Sequence, residues 1–212
     1  NTHVLPYMGW NQVNLDLEWK MWEAKPFQAK FAPDLLRTES LGLKTGNYPM
    51  AMVLVSKKGK PDDMSKEEDA RIRRTYTAGC YVHDIKYSPN IQTDGALQSM
   101  QDFGYGDPET KVINYWERNA PVTVSNDKCK WLLMEKDDEA MVLLVTWNDE
   151  PSEVSLKVDP SVLGYNPVNT ATDVDSDEAL DVSGGRVTVP MEGYGVRVIR
   201  LSHESPVPEF EN

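Results

Sequence analysis

Only two cysteines occur in this sequence, Cys80 and Cys129. They stand too far apart to suggest a disulfide framework or a metal site, and both read as free, partly buried thiols. No apolar run approaches the ~20 residues that a bilayer-crossing helix needs, which excludes a membrane span. Basic charge is scarce: 22 Lys and Arg against 34 Asp and Glu leave a formal charge of −12. Nucleic-acid binding, which uses a concentrated basic face, is excluded on that ground. Neither nucleotide-binding glycine loop occurs, and Asn169-Thr170-Ala171 is not a glycosylation sequon. The sequence opens at Asn1 without a methionine and without a recognisable signal peptide. The expectation is a piece of a longer polypeptide, or a chain from which an upstream segment has been removed.

What is present divides in two. A chain of 212 residues can hold two domains of ordinary size. In the first, residues 1–119, short apolar runs alternate with helical periods. Residues 2–7 (THVLPY) read as a short strand. Val13, Leu17, Met21 and Ala24 then repeat at helical spacing beside Trp10, Trp19 and Trp22, and Pro26 and Pro33 interrupt any long helix. Residues 48–55 (YPMAMVLV) are apolar without alternation, as in a strand buried on both faces. Residues 64–78 read as a helix with Ser65 as N-cap, Glu68 at capping-box spacing and Gly79 as its stop. Residues 80–86 (CYVHDIK) read as a strand and 93–103 as a helix capped by Thr93 or Asp94. Strand and helix in alternation predict right-handed βαβ units in a parallel sheet. Two or three strands are too few for an eight-stranded barrel of ~250 residues. The segment is therefore part of a (β/α) barrel or a small parallel βαβ layer.

From Ala120 the period changes to two. Residues 121–125, 130–135, 140–147, 153–158, 169–174, 186–189 and 196–201 are strand candidates, joined by turns such as Asn148-Asp-Glu-Pro151 and Gly184-Gly185. Seven short strands at regular spacing predict an antiparallel all-β sandwich over residues 120–202. The last residues, 203–212, form a loose acidic tail.

The segments MVLLVTWNDEPSEVSLKV, TATDVDSDEAL and GRVTVPMEGYGVRVIRL, in that order, resemble the C-terminal β-sandwich of glycoside hydrolases related to α-galactosidases. That resemblance covers roughly the last 80 residues. It implies that the first half holds the last βα units of a catalytic barrel, and that the chain is the C-terminal portion of a larger enzyme cleaving glycosidic bonds. A secreted or periplasmic bacterial protein is implied, with a carbohydrate and the missing N-terminal barrel portion as partners. The alternative is a non-catalytic carbohydrate-binding or structural sandwich module. No cofactor and no metal is implied.

Barrel enzymes work at the carboxyl ends of their strands. With residues 80–86 as a strand, that rule points to His83, Asp84 and Lys86, and after residues 2–7 to Tyr7, Trp10 and Asn11. His83 and Asp84 are substrate-binding candidates, because a histidine beside a carboxylate can bond sugar hydroxyls or tune a proton donor. Adjacent strand residues face opposite ways, so only one of the two can face a lumen. Glycosidases need two carboxyl groups flanking the scissile bond. Of Glu18, Glu23, Glu39 and Asp84, only Asp84 stands at a strand end, which makes it the catalytic candidate within the chain; the pair itself is expected upstream. Trp10 and Trp19 are candidates for stacking on sugar faces, although Trp19 and Trp22 share a helix face that equally suits packing. The run Asp173-Val-Asp175-Ser-Asp177 starts like a calcium loop, but Glu178 and Gly184 replace the expected glycine and glutamate, leaving an acidic turn.

Overall fold

Strand pairing, not helical period, organises residues Glu18–Lys20. In the computed structural model, which describes residues 18–20, 25–40, 50–54, 64–87, 95–136, 139–159 and 168–202, β1 (Glu18–Lys20) runs parallel to β2 (Met50–Leu54), with Glu18 opposite Met52 and Lys20 opposite Leu54. This corrects the helix expected there: tertiary pairing overrides a helical period that is only a weak prior. On its other side β2 pairs in parallel with β3 (Lys86–Tyr87), giving the sheet order β1-β2-β3. The strand expected over residues 2–7 lies outside the described residues.

Pro26 and Pro33 act as helix starts, as their fixed φ and missing N–H favour. Pro26 is the N-cap of α1 (Phe27–Lys30) and Pro33 the first residue of α2 (Pro33–Ser40). The long helix α3 (Lys66–Val82) begins as expected. Ser65 Oγ accepts from the Glu68 backbone N–H at 3.0 Å, and Glu67, Glu68 and Asp69 sit in the first turn, where the helix dipole favours acids.

Its end is not as expected. Gly79 does not stop the helix, and Cys80 to Val82, read as the start of a strand, form its last turn. Gly79 serves packing instead: a Cβ there would lie 2.6 Å from Phe27 Cδ1 and 2.9 Å from Cε1. That ring is fully buried and held edge-on to Tyr76 at 5.3 Å, so it has little room to yield. Gly79→Ala should gain about 1 kcal/mol in helix propensity and lose about 1–3 kcal/mol by overpacking. Urea unfolding should show a net loss, reduced when Phe27→Leu is added. A stabilised single variant would contradict this packing role.

One face of α3 meets the parallel sheet and the short helices: Ile72, Tyr76 and Cys80 pack with Phe27, Phe31, Leu36, Ala51 and Ile85. Tyr76 donates to the Ala51 carbonyl at 2.7 Å. Another face meets the second half of the chain. There Ala78, Tyr81 and Val82, with Ala96, Leu97 and Met100 of α4 (Gly95–Phe103), cover Leu132, Met134, Met141, Leu143, Val145 and Val198.

The second half is an antiparallel sandwich. One sheet holds β4 (Lys111–Asn114), β6 (Cys129–Lys136), β7 (Glu139–Thr146), β12 (Val196–Ser202) and β9 (Thr170–Asp173), in that order. The other holds β10 (Val182–Ser183), β11 (Arg186–Met191), β8 (Ser152–Val158) and β5 (Val122–Val124). All seven expected strands are present. The sheet begins earlier than the change of period at Ala120, because β4, whose one buried residue is Ile113, pairs with β6.

The run Met141 to Val145 is apolar at every position because both faces of its sheet are covered. Val142 and Leu144 point between the sheets, while Met141, Leu143 and Val145 point at α3 and α4. Continuous apolarity, usual for parallel strands under helices, arises here in an antiparallel strand for the same physical reason.

Candidate functional site: the seam between helices and sandwich

The structure moves His83 and Asp84 away from the place assigned to them. His83 is the C-cap of α3, Asp84 follows in a left-handed turn with φ 53°, and β3 begins only at Lys86. Both residues therefore precede a parallel strand, and neither stands at its carboxyl end. Asp84 is exposed; His83 is fully buried. Tyr7, Trp10, Asn11, Trp22 and Glu23 lie outside the described residues. Trp19, in β1, is placed by its backbone opposite Val53, and Glu39 lies in the last turn of α2.

His83 sits among aromatic rings supplied by the sandwich: Tyr115 at 5.5 Å and Trp147 at 5.4 Å, both edge-on, and Trp116 nearly parallel at 6.2 Å. Its Nδ1 lies 2.9 Å from the Gly79 carbonyl and donates to it, while Nε2 has no hydrogen-bond partner. The Pro33 carbonyl favours a charged ring slightly without reaching bonding geometry. Burial, reinforced by the Lys130 and Arg37 charges against the pull of the Gly79 carbonyl, lowers the His83 pKa to about 4. Burial likewise pushes Tyr115 up to about 12, with Asp34 adding to the rise and Arg37 opposing it. Arg37 lies over Trp116 at 4.3 Å and Lys130 over Tyr115 at 5.3 Å. These rings are occupied in joining layers.

Trp147, which follows β7 directly, ties the seam to the first half: its indole N–H donates to the Phe31 carbonyl at 2.7 Å. Sequence reasoning passed over it, although its place at the end of the longest apolar strand was the signal. Tyr115 and Trp116 were missed with β4.

A second polar contact joins the halves. The Arg74 guanidinium forks onto both carboxylate oxygens of Asp175, with Nη1 2.6 Å from Oδ1. Asp173 accepts from the backbone N–H of Asp175 at 2.8 Å and of Ser176 at 3.2 Å, and pairs with Arg197 at 3.3 Å. The Asp173 to Asp177 run is thus an anchoring turn, with Asp177 at φ 57°. Beside it lies a cleft of about 120 Å³ lined by Arg71, Arg74, Asp175, Glu192, Tyr194 and Arg197. Pockets for drug-sized ligands run from about 300 Å³, so this one is small for a sugar ring. Burial raises the thiol pKa of Cys80 and of Cys129, which keeps both protonated and poorly nucleophilic. Among the described residues no helix is long and apolar enough to cross a membrane, and no three His, Cys, Asp or Glu side chains converge as metal ligands.

Residues 96–179 match the family model of the glycoside hydrolase 123 C-terminal domain. The resemblance to the C-terminal part of a glycoside hydrolase is thereby upheld. No curated protein matches. Among solved structures, a GH27 β-L-arabinopyranosidase from Geobacillus stearothermophilus aligns with 12% identity and a TM-score of 0.47, over 92% of this chain and 46% of that one. A noncanonic maltogenic α-amylase, AmyB, from Thermotoga neapolitana aligns with 9% identity and a TM-score of 0.44, over 84% and 48%. This chain spans less than half the length of either.

Proposed function

We propose that the chain is the C-terminal portion of an enzyme hydrolysing glycosidic bonds, in which β1, β2 and β3 are the last strands of a (β/α) barrel and the catalytic carboxylates lie in the part of the polypeptide before them. The observation that carries this reading is the parallel sheet. Its strands follow in chain order, with α3 joining β2 to β3, and among the described residues β1 and β3 each pair on one side only. Consecutive order is what a barrel requires, whereas a doubly wound sheet reverses direction at a switch point. Parallel edges that the described residues leave unpaired need covering, and further strands of the same barrel would do this. The family match of residues 96–179 supports a glycoside hydrolase behind it.

In a barrel, substrate meets the carboxyl ends of the strands, and the opposite end serves stability. By that rule the substrate face lies at the carboxyl ends of β1, β2 and β3, marked by Lys20, Leu54 and Tyr87. His83, fixed before β3, belongs to the stability face.

The test has two parts. The chain alone should not hydrolyse chromogenic glycosides, and a polypeptide extended at its amino end should. Turnover by the chain alone, abolished in Asp84→Asn, would refute the upstream placement. Hydrogen exchange supplies a structural check: the β2 amides bonded on both sides should be protected, and the outward amides of β1 and β3 should exchange quickly. Protection of those outward amides would mean a closed sheet and no missing strands. A carbohydrate-binding module would instead show a change in tryptophan fluorescence on titration with polysaccharides.

A further inference from the structure

We infer that His83 is a proton-operated latch on the seam between the helices and the sandwich: neutral, it lets α2 and the end of α3 close on the sandwich, and protonated, it drives that seam open. This does not depend on what the enzyme cleaves.

The geometry is specific to a neutral ring. His83 is sealed by Tyr115, Trp116 and Trp147, all from the sandwich half, and its Nδ1–H is used by the Gly79 carbonyl of its own helix. A neutral imidazole can leave Nε2 bare as an acceptor. Protonation puts a second N–H on that atom, which has no hydrogen-bond partner and feels only the pull of the Pro33 carbonyl, and a buried charge without a counter-charge is costly. The charged groups that face the ring are cations from two elements, Arg37 of α2 and Lys130 of β6. Asp34, in the first turn of α2, acts on Tyr115. Opening the seam would hydrate both ring nitrogens and separate the ring from Lys130.

The ring titrates near 6.5 when solvated and near 4 when sealed. The open state therefore binds the proton more tightly. The latch is fully closed above about 6.5, and its contribution is lost progressively as pH falls toward 4.

The experiment follows the histidine imidazoles by NMR and the tryptophans by near-ultraviolet circular dichroism, from pH 7.5 to 3.5, on the full chain. The His83 resonance is assigned by its loss in His83→Gln. Expected is a His83 midpoint well below 6.5, a tryptophan signal that collapses over the same interval, and amide signals of β8 and β11 that persist. The collapse should be absent or displaced in His83→Gln. Should that variant fail to fold at neutral pH, Lys130→Met provides the second arm: with one facing cation gone, the His83 midpoint should rise by a measurable fraction of a pH unit. A His83 midpoint near 6.5 in the folded chain, a tryptophan signal unchanged through its titration, a collapse unmoved in His83→Gln, or a midpoint unmoved in Lys130→Met would overturn the latch.

Discussion

Replacing Trp147 with alanine is expected to cost about 3–5 kcal/mol and to free the helices from a sandwich that stays folded. Trp147 packs on both helix-side clusters, against α1–β2–α3 on one side and the outer face of the five-stranded sheet on the other. Truncation would leave a void between them and strip the Phe31 carbonyl of the indole donor that reaches it at 2.7 Å. An orphaned buried carbonyl alone costs about 1–3 kcal/mol. The sandwich would survive because its own core, between the two sheets, does not include Trp147. Urea unfolding read by two probes is the check: a signal from the helices should move to lower urea than one from the sandwich, whereas wild type should show one transition. Trp147→Phe, which keeps most of the apolar area and loses only the donor, should fall between. Coincident transitions in Trp147→Ala, or a loss under about 1 kcal/mol, would show that the halves are held elsewhere.

The sandwich was legible in the sequence because its evidence is local. Strands such as Glu-Val-Ser-Leu-Lys-Val alternate cleanly, and their inward residues Val154, Leu156 and Val158 are the buried ones. The helix start at Ser65 was legible for the same reason, since a cap and its acceptor lie three residues apart. What failed depended on partners distant in sequence. Glu18 to Lys20 pairs with residues 34 positions away, and nothing nearby overrides the helical period around it. Cys80 to Val82 is apolar like a strand, yet forms the last turn of a helix buried on two faces, where period gives no signal. Gly79 reads as a stop until Phe27, 52 positions away, is seen to occupy the space its side chain would take. The displacement of His83 and Asp84 from a strand end to a helix cap follows from that misread turn. With it goes the argument that placed them on a substrate face.

The largest effect inside the sandwich should come from Leu144, and its neighbour Leu143 supplies the control. Both are fully buried leucines on β7, and each truncation to alanine is expected to cost about 2–5 kcal/mol. They differ in what lies opposite. Leu144 points between the two sheets with Val154, Leu156, Val187 and Val189, while Leu143 points at α3 and α4 with Val82, Leu97 and Met100. Leu144→Ala should therefore lower the transitions of both halves together, since the five-stranded sheet on which the helices rest loses its support. Leu143→Ala should act first on the helices, like Trp147→Ala, and combining those two should cost less than their sum, because both would loosen the same cluster. Leu144→Ala combined with Trp147→Ala should be closer to additive, as the two side chains belong to different clusters. Urea midpoints for the three single and two double variants decide the matter. Equal coupling of Trp147 to Leu143 and to Leu144 would mean that the two faces of this strand do not act as separate cores.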